Sequence, residues 1–187
     1  MAFNLDKSIE ILERTPAVII AMLQGLSEEW IVENEGADTW SPYDIVGHLI
    51  HGEKTDWIPR MQIILSNSPN KKFQPFDRFA QFTDSKGKTL SQLLDTFRLL
   101  REQNLSVLRS HNLTVEDLSK QGIHPAFGPV TLSQLLATWT VHDLNHIAQM
   151  ARVMAVRYRP LAPGWLICVC CRQRRGKQKA IFWLRQT

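Results

Sequence analysis

Apolar residues recur every three or four positions along four stretches of this chain, a spacing typical of one face of an α-helix. The stretches cover residues 5–28, 41–65, 89–111 and 131–153. Polar segments, or segments containing proline and glycine, connect them, and the longest connection is residues 66–87. Strands do not alternate with helices, and no internal repeat is present. The pattern predicts an all-α protein, an antiparallel four-helix bundle with long inter-helix loops.

The second stretch begins with a helix-capping signal. Ser41 occupies the N-cap position, Pro42 the first helical position and Asp44 the third. The serine and aspartate side chains can therefore bind the free amide groups of the first turn. Farther along, Pro59 predicts a bend or an end of the regular helix, because proline cannot donate a backbone hydrogen bond.

Two histidines of this stretch differ in their position around the helix. With Ile45 at zero and a rotation of about 100° per residue, the apolar side chains centre near 80°. His48 then lies at about −60°, on the edge of the apolar face, and His51 at about −120°, behind it. The periodicity therefore favours His48 over His51 as a ligand that points inward.

The long connection contains four phenylalanines: Phe73, Phe76, Phe79 and Phe82. They can anchor the loop onto the bundle, or some of them can form the wall of a substrate pocket. Both interpretations stay open from sequence alone. Before the last helix, residues 124–130 predict a loop or a small β excursion.

The last stretch carries His142 and His146, four residues apart. With Leu132 at zero they lie at about −80° and −40°, inside or beside the apolar stripe. Random placement of 6 histidines in 187 residues gives roughly 0.2 such pairs, so the spacing is a moderate signal. Two inward imidazoles at this spacing can bind one metal ion, or they can be core residues hydrogen-bonded to neighbours.

The distribution of charge argues against a nucleic-acid partner. The chain carries a formal charge of +4, but residues 160–187 contain six basic side chains and no acidic one. The first 159 residues are therefore mildly acidic and show no basic face or recognition motif. No apolar run approaches the about 18 residues of a membrane span, and no signal-peptide pattern is present. We expect a cytoplasmic protein with no membrane partner.

The end of the chain differs in composition from the rest. Residues 160–187 hold all three cysteines, Cys168, Cys170 and Cys171, so residues 1–159 offer no disulfide and no thiol nucleophile. One C-x-x-C spacing is weak evidence for zinc binding. We therefore divide the chain into a metal-binding helical bundle, residues 1–159, and an atypical basic tail, residues 160–187. The tail is either a genuine extension or a frame-shifted end.

Three segments resemble the DinB family of metal-binding four-helix bundles. They are SPYDIVGHL at residues 41–49, HPAFGPVTLSQLLATW at residues 124–139 and HDLNHIAQ at residues 142–149. The resemblance covers residues 1–159 in order. It implies the four-helix fold predicted above and a homodimer.

The resemblance also implies a metal site with one histidine from the second helix and two from the fourth. Carried over residue by residue, the ligands are His48, His142 and His146, which agrees with the helical phase of His48. Three neutral imidazoles suit Zn²⁺, Ni²⁺ or Fe²⁺ better than Ca²⁺ or Mg²⁺. Three protein ligands leave coordination positions open, whereas a structural zinc site normally has four.

Other polar residues are candidates for catalytic or supporting roles. Asp143 lies on the inward arc, where it can orient a ligand or satisfy a buried donor. Gln149, one turn beyond His146, can bind a ring nitrogen or a water molecule. Glu53 is a weaker candidate for a base, and His124 fits a structural role.

These features favour a metal-dependent enzyme that acts on a small molecule. The resemblance suggests a transfer or isomerisation that uses a low-molecular-weight thiol, or hydrolysis by a metal-bound water. The absence of cysteine from residues 1–159 fits a nucleophile supplied by a cosubstrate. The alternative is a metal-binding stress-response or ligand-binding module without turnover. Open coordination positions that face a sealed core would favour the alternative.

Overall fold

The predicted helical stretches form the frame of the molecule. The computed structural model describes residues 3–161. In chain order its elements are α1 (Leu5–Leu23), α2 (Glu28–Val32), α3 (Pro42–Thr55), α4 (Trp57–Leu65), α5 (Ala80–Asp84), α6 (Leu90–Ser110), α7 (Val115–Ser119), β1 (Gln121–His124), β2 (Gly128–Thr131), α8 (Leu132–Val156) and a 3-10 turn (Arg159–Leu161). The four long members are α1, the α3–α4 pair, α6 and α8, which confirms the predicted four-helix bundle.

The start of α3 follows from its capping residues. The backbone N–H of Ser41 donates to Asp44 Oδ2 at 3.0 Å, and the N–H of Asp44 donates to Ser41 Oγ at 3.2 Å. Pro42 occupies the first turn, where its missing N–H costs nothing. The local signal thus fixes where the helix that carries His48 begins.

The sequence pattern predicted a bend or an end of the helix at Pro59, but the break falls three residues earlier, at Asp56. Asp56 has φ −107° and ψ −69°, and it separates α3 from α4. Pro59 lies in the first turn of α4, where an amide group has no partner within the helix. The proline therefore fits a helix start and needs no bend of its own.

Helix α1 is continuous through Pro16 and ends at Leu23, before the predicted bound at residue 28. Gly25 follows with a positive φ of 79°, a conformation that favours glycine and stops a helix. Pro16 has no N–H to donate to the carbonyl of Leu12, four residues earlier. That carbonyl instead accepts a hydrogen bond from Arg101 Nη1 at 2.8 Å.

The predicted β excursion is an antiparallel hairpin in which Gln121 pairs with Thr131 and His124 with Gly128. His124 Nδ1 accepts from the backbone N–H of Ala126 at 3.1 Å, and its ring stacks on Phe127. These contacts support the predicted structural role of His124.

The long connection runs beside β1. The N–H of Phe73 donates to the Ile123 carbonyl at 2.9 Å, and the N–H of Ile123 donates to the Lys71 carbonyl at 2.8 Å. Phe73 is buried, whereas Phe79 and Phe82 are 68% and 47% exposed. The anchoring interpretation therefore holds for Phe73 and fails for the last two rings.

The core consists of two apolar clusters with one buried cation between them. One cluster contains the stacked rings of Trp57 and Trp139, whose centroids lie 5.7 Å apart, and the other contains Phe97. The guanidinium carbon of Arg101 lies 5.1 Å from the Phe97 ring centroid and 5.0 Å from that of Trp139. Arg101 is 1% exposed.

Arg101 contacts all four long members of the bundle. From α6 it donates to Glu53 of α3 at 2.7 Å, to Asp143 of α8 at 2.6 Å and to the Leu12 carbonyl of α1. Both carboxylates are as deeply buried as the arginine. Because buried charges need partners at bonding distance, this cluster constrains how the helices pack.

None of the helices in the described part of the chain combines the length and the hydropathy that a membrane crossing requires. Residues as far as Met154 belong to one compact unit. The predicted basic tail, residues 160–187, lies outside the described residues except for its first two positions. The question of zinc binding by its cysteines, and the choice between a genuine extension and a frame-shifted end, therefore stay at the level of sequence prediction.

Replacement of the buried cation is expected to destabilise the protein strongly. Arg101→Met leaves the carboxylates of Glu53 and Asp143 buried without a counter-ion, so the free energy of unfolding should fall by about 3–5 kcal/mol. Urea denaturation followed by circular dichroism measures the change.

The matched control is Arg98→Ala on the same helix. Arg98 forms a 2.9 Å ion pair with Glu102 at the surface, and we expect its loss to change the free energy of unfolding by less than about 0.5 kcal/mol. Similar effects of the two replacements would show that the buried cluster does not hold the bundle together.

Candidate metal centre

Three histidine side chains meet between α3 and α8. His48 Nε2 lies 3.0 Å from His142 Nε2, and His146 Nε2 lies 3.1 Å from the same atom. One nitrogen from each ring lies within 4.8 Å of the other two. The structure thus brings together the three residues that the sequence singled out. Three convergent imidazole nitrogens are a donor set that suits a transition metal.

The electrostatic surroundings keep the rings of His48 and His146 neutral. Burial, together with repulsion from His142 and other nearby basic groups, lowers the pKa of His48 to about 2. Burial also lowers the pKa of His146 to about 3, again with a contribution from His142. A neutral imidazole retains a lone pair on one nitrogen, as a metal ligand must.

The second nitrogens of the three rings have different surroundings. His146 Nδ1 lies 2.9 Å from Gln149 Oε1, the contact expected of Gln149. A proton on that Nδ1 leaves the lone pair on Nε2, facing the other rings. Within the described part of the chain, the buried Nδ1 atoms of His48 and His142 have no partner at hydrogen-bond distance. Asp143 Oδ1 lies 3.9 Å from His142 Nδ1, which is too long for a direct bond.

Aromatic rings line the histidine group. The Trp40 ring centroid lies 4.7 Å from that of His48, and the Phe76 centroid lies 5.4 Å from it. Trp57 packs edge-on against His142 at 5.1 Å. Trp40 and Phe76 are half-buried, so Phe76 is the loop phenylalanine that flanks the histidine group, and its role as a pocket wall stays a prediction. Sequence reasoning missed Trp40, whose one local signal is its position directly before the cap of α3.

His51 lies outside the group, in agreement with its helical phase. Its Nδ1 lies 3.7 Å from Asp84 Oδ2, and its ring packs against Phe76 with centroids 4.9 Å apart. His51 is therefore a neighbour of the site's aromatic wall and not of the converging nitrogens.

Glu53, the weaker candidate for a base, has both carboxylate oxygens engaged. Oε1 accepts from Arg101 at 2.7 and 3.1 Å and from Trp139 Nε1 at 3.1 Å. Oε2 accepts from Asn104 Nδ2 at 2.8 Å. With these partners Glu53 supports the core, and both of its oxygens are already held by buried or half-buried donors.

Asp143 satisfies a buried donor, one of the two roles that its position predicted. Its Oδ2 accepts from Arg101 Nη1 at 2.6 Å and its Oδ1 from Nη2 at 3.2 Å. Burial alone would raise the pKa of Asp143, but the charge and hydrogen bonds of Arg101, together with the neighbouring His142, outweigh burial and lower it. Two buried carboxylates, those of Glu53 and Asp143, therefore share the guanidinium of Arg101.

Arg101 is the residue of this region that sequence reasoning missed. It lies four residues after Phe97 and four before Leu105, within the apolar stripe of the third helix. A charged residue on a buried helical face needs a buried counter-ion, so its position was a usable signal.

Solvent reaches the histidine group. The side chain of His142 is 21% exposed, and His146 is also only partly buried. A site of this kind is accessible from outside, unlike a sealed structural site within the core.

Comparisons with known proteins agree with this fold. YfiT from Bacillus subtilis, described as a probable metal-dependent hydrolase with an unusual four-helix bundle topology, aligns with a TM-score of 0.69 at 22% identity. The alignment covers 82% of this chain and 86% of YfiT. TT2238, a four-helix bundle protein, aligns with a TM-score of 0.54 at 14% identity over 80% of this chain and 99% of its own. Identities this low show the fold alone.

A comparison with curated proteins gives no match. The sequence model of the DinB superfamily matches residues 11–150, which include all three converging histidines. The resemblance of the three sequence segments is therefore confirmed over most of the chain, and the protein belongs to the DinB superfamily.

Proposed function

We propose that this protein is a metal-dependent enzyme that acts on a small molecule, with His48, His142 and His146 as the metal ligands. The observation that carries the proposal is the convergence of their three Nε2 atoms. The lowered pKa values of His48 and His146 support it, because neutral rings can bind an ion at neutral pH. The donor set suits Zn²⁺, Ni²⁺ or Fe²⁺.

The accessibility of the site supports catalysis over a purely structural role. Three protein ligands leave at least one coordination position for another molecule. The exposure of His142 gives such a molecule a route in. The half-buried rings of Trp40 and Phe76 supply flat apolar surface beside the ligands, which suits a small organic substrate.

The activation of a nucleophile by the metal is part of the proposal. A bound transition metal lowers the pKa of a water or thiol ligand and so supplies a nucleophile at neutral pH. Glu53 and Asp143 are both engaged by Arg101, so they do not supply a free carboxylate base. Hydrolysis is one reaction of this kind, and the fold shared with YfiT, itself described as a probable metal-dependent hydrolase, supports it.

Transfer to or from a low-molecular-weight thiol is the second candidate reaction. The specific observation that favours it is the absence of cysteine from residues 1–159, which leaves a thiol nucleophile to a cosubstrate. A metal-binding stress-response or ligand-binding module without turnover is the competing class. The cytoplasmic location stays a prediction.

Metal content tests the ligand assignment. We expect close to one transition-metal ion per chain in untagged protein purified without chelator, measured by elemental analysis. His48→Ala, His142→Ala and His146→Ala should each lose the ion while circular dichroism shows an intact bundle, since each removes a donor. His51→Ala, on the same helix as His48, is the matched control and should keep the metal. A wild type that stays metal-free after reconstitution contradicts the assignment.

Removal and return of the metal tests for catalysis. Zinc-reconstituted protein should hydrolyse 4-nitrophenyl acetate, or transfer glutathione to 1-chloro-2,4-dinitrobenzene, at least tenfold faster than chelator-treated protein, because the ion activates the nucleophile. Trp40→Ala should raise the KM for the substrate that reacts and should leave the metal content unchanged. If metal-loaded protein turns over neither ester nor thiol substrates, the binding module becomes the better interpretation.

The homodimer is the last part of the proposal. Val141 and Leu144 of α8 are 55% and 46% exposed, so the helix that carries His142 and His146 also presents an exposed apolar surface. Size-exclusion chromatography with light scattering should give a dimer for the wild type and a monomer for Val141→Glu with Leu144→Glu. Ser91→Glu, at an exposed polar position of α6, is the control and should stay dimeric. A monomeric wild type contradicts the dimer.

A further inference from the structure

The two ligand histidines of α8 differ in how their second ring nitrogens are held. His146 Nδ1 has Gln149 Oε1 as a partner at 2.9 Å. His142 Nδ1 is buried and has no partner at hydrogen-bond distance within the described residues. A carboxylate oxygen of Asp143 lies 3.9 Å from it. The contact is about 1 Å longer than a hydrogen bond, so a small movement of the ring closes it.

A histidine that binds an ion through Nε2 carries its proton on Nδ1. That N–H needs an acceptor, because a buried donor without one is unfavourable. Ligand histidines normally donate this proton to a carboxylate, a carbonyl or a water molecule. His142 therefore needs an acceptor on its Nδ1 side once Nε2 is engaged.

Asp143 has the capacity to be that acceptor. Its Oδ1 receives one hydrogen bond, from Arg101 Nη2 at 3.2 Å, and a carboxylate oxygen can accept two. Its Oδ2 is held by Arg101 Nη1 at 2.6 Å, and the side chain is 0% exposed. The carboxylate is thus fixed in place with one lone pair of Oδ1 free. Glu53, the other carboxylate bound to Arg101, has three donors on Oε1 and one on Oε2.

We propose that Asp143 is a positioning residue of the metal centre. Held by Arg101, it accepts the Nδ1 proton of His142 and so presents the Nε2 lone pair of His142 to the ion. This inference rests on the proposed metal site.

The test compares Asp143→Asn with Glu53→Gln. Both replacements keep the shape of the side chain and remove one negative charge from the same arginine. Only Asp143 faces a ligand histidine, so a merely structural role predicts equal effects. An asparagine whose oxygen is bound to Arg101 turns its N–H₂ toward His142 and favours the tautomer that cannot bind an ion through Nε2.

Zinc affinity, measured by competition with a chromophoric chelator, is the first measurement. Asp143→Asn should weaken zinc binding about 10–100-fold, the usual effect of removing a ligand's hydrogen-bond partner. Glu53→Gln should weaken it less than about threefold. Equal weakening by the two variants, or unchanged affinity in Asp143→Asn, overturns the proposal.

The tautomer of His142 in metal-free protein is the second measurement, by long-range ¹H–¹⁵N NMR of the imidazole rings. In the wild type the His142 proton should lie on Nδ1. Asp143→Asn should move that proton to Nε2 and should leave the tautomer of His146 unchanged. This readout separates the two hypotheses because it needs no metal: the absence of zinc binding contradicts the proposed metal site, whereas the tautomer tests the bond between Asp143 and His142 by itself. If Asp143→Asn does not fold, a wild-type His142 protonated at Nε2 still overturns the positioning role.

Discussion

The guanidinium of Arg101 is the interaction on which the rest of this bundle depends. It lies between two apolar clusters and binds Glu53, Asp143 and the carbonyl of Leu12. Charged groups removed from water are tolerated only with partners at bonding distance, so each helix that supplies one has little freedom to slide or rotate. The Leu12 carbonyl is free because Pro16 cannot donate to it. The carbonyl left without a helical partner by Pro16 of α1 therefore becomes an acceptor for Arg101 of α6.

The same constraint sets the geometry of the candidate metal centre. Glu53 lies five residues after His48 on α3, and Asp143 lies next to His142 on α8. When Arg101 fixes the two carboxylates, it also fixes the two helices from which the imidazoles project. Packing of the core and convergence of the histidine nitrogens are therefore consequences of one arrangement. This link explains how a site between two helices can be ordered without a covalent bridge.

The chemistry of the site follows from what surrounds the three rings. Burial keeps the imidazoles of His48 and His146 neutral, which suits ligation, and Arg101 occupies the nearby carboxylates, which removes them as free bases. The rings of Trp40 and Phe76 pack against His48 and form an apolar aromatic surface on that side of the site. Membership of the DinB superfamily is consistent with this arrangement but does not specify the substrate.

The sequence by itself determined the features that depend on neighbouring residues. Capping by Ser41 and Asp44 set the start of α3, and helical phase separated His48 from His51, because backbone hydrogen bonds and helical rotation are local. Tertiary structure alone decided which partners meet. The partners of Arg101 lie 42, 48 and 89 residues away, and the Pro59 signal produced no bend because the chain already turns at Asp56. Such pairings depend on the packing of distant segments, which no local pattern encodes.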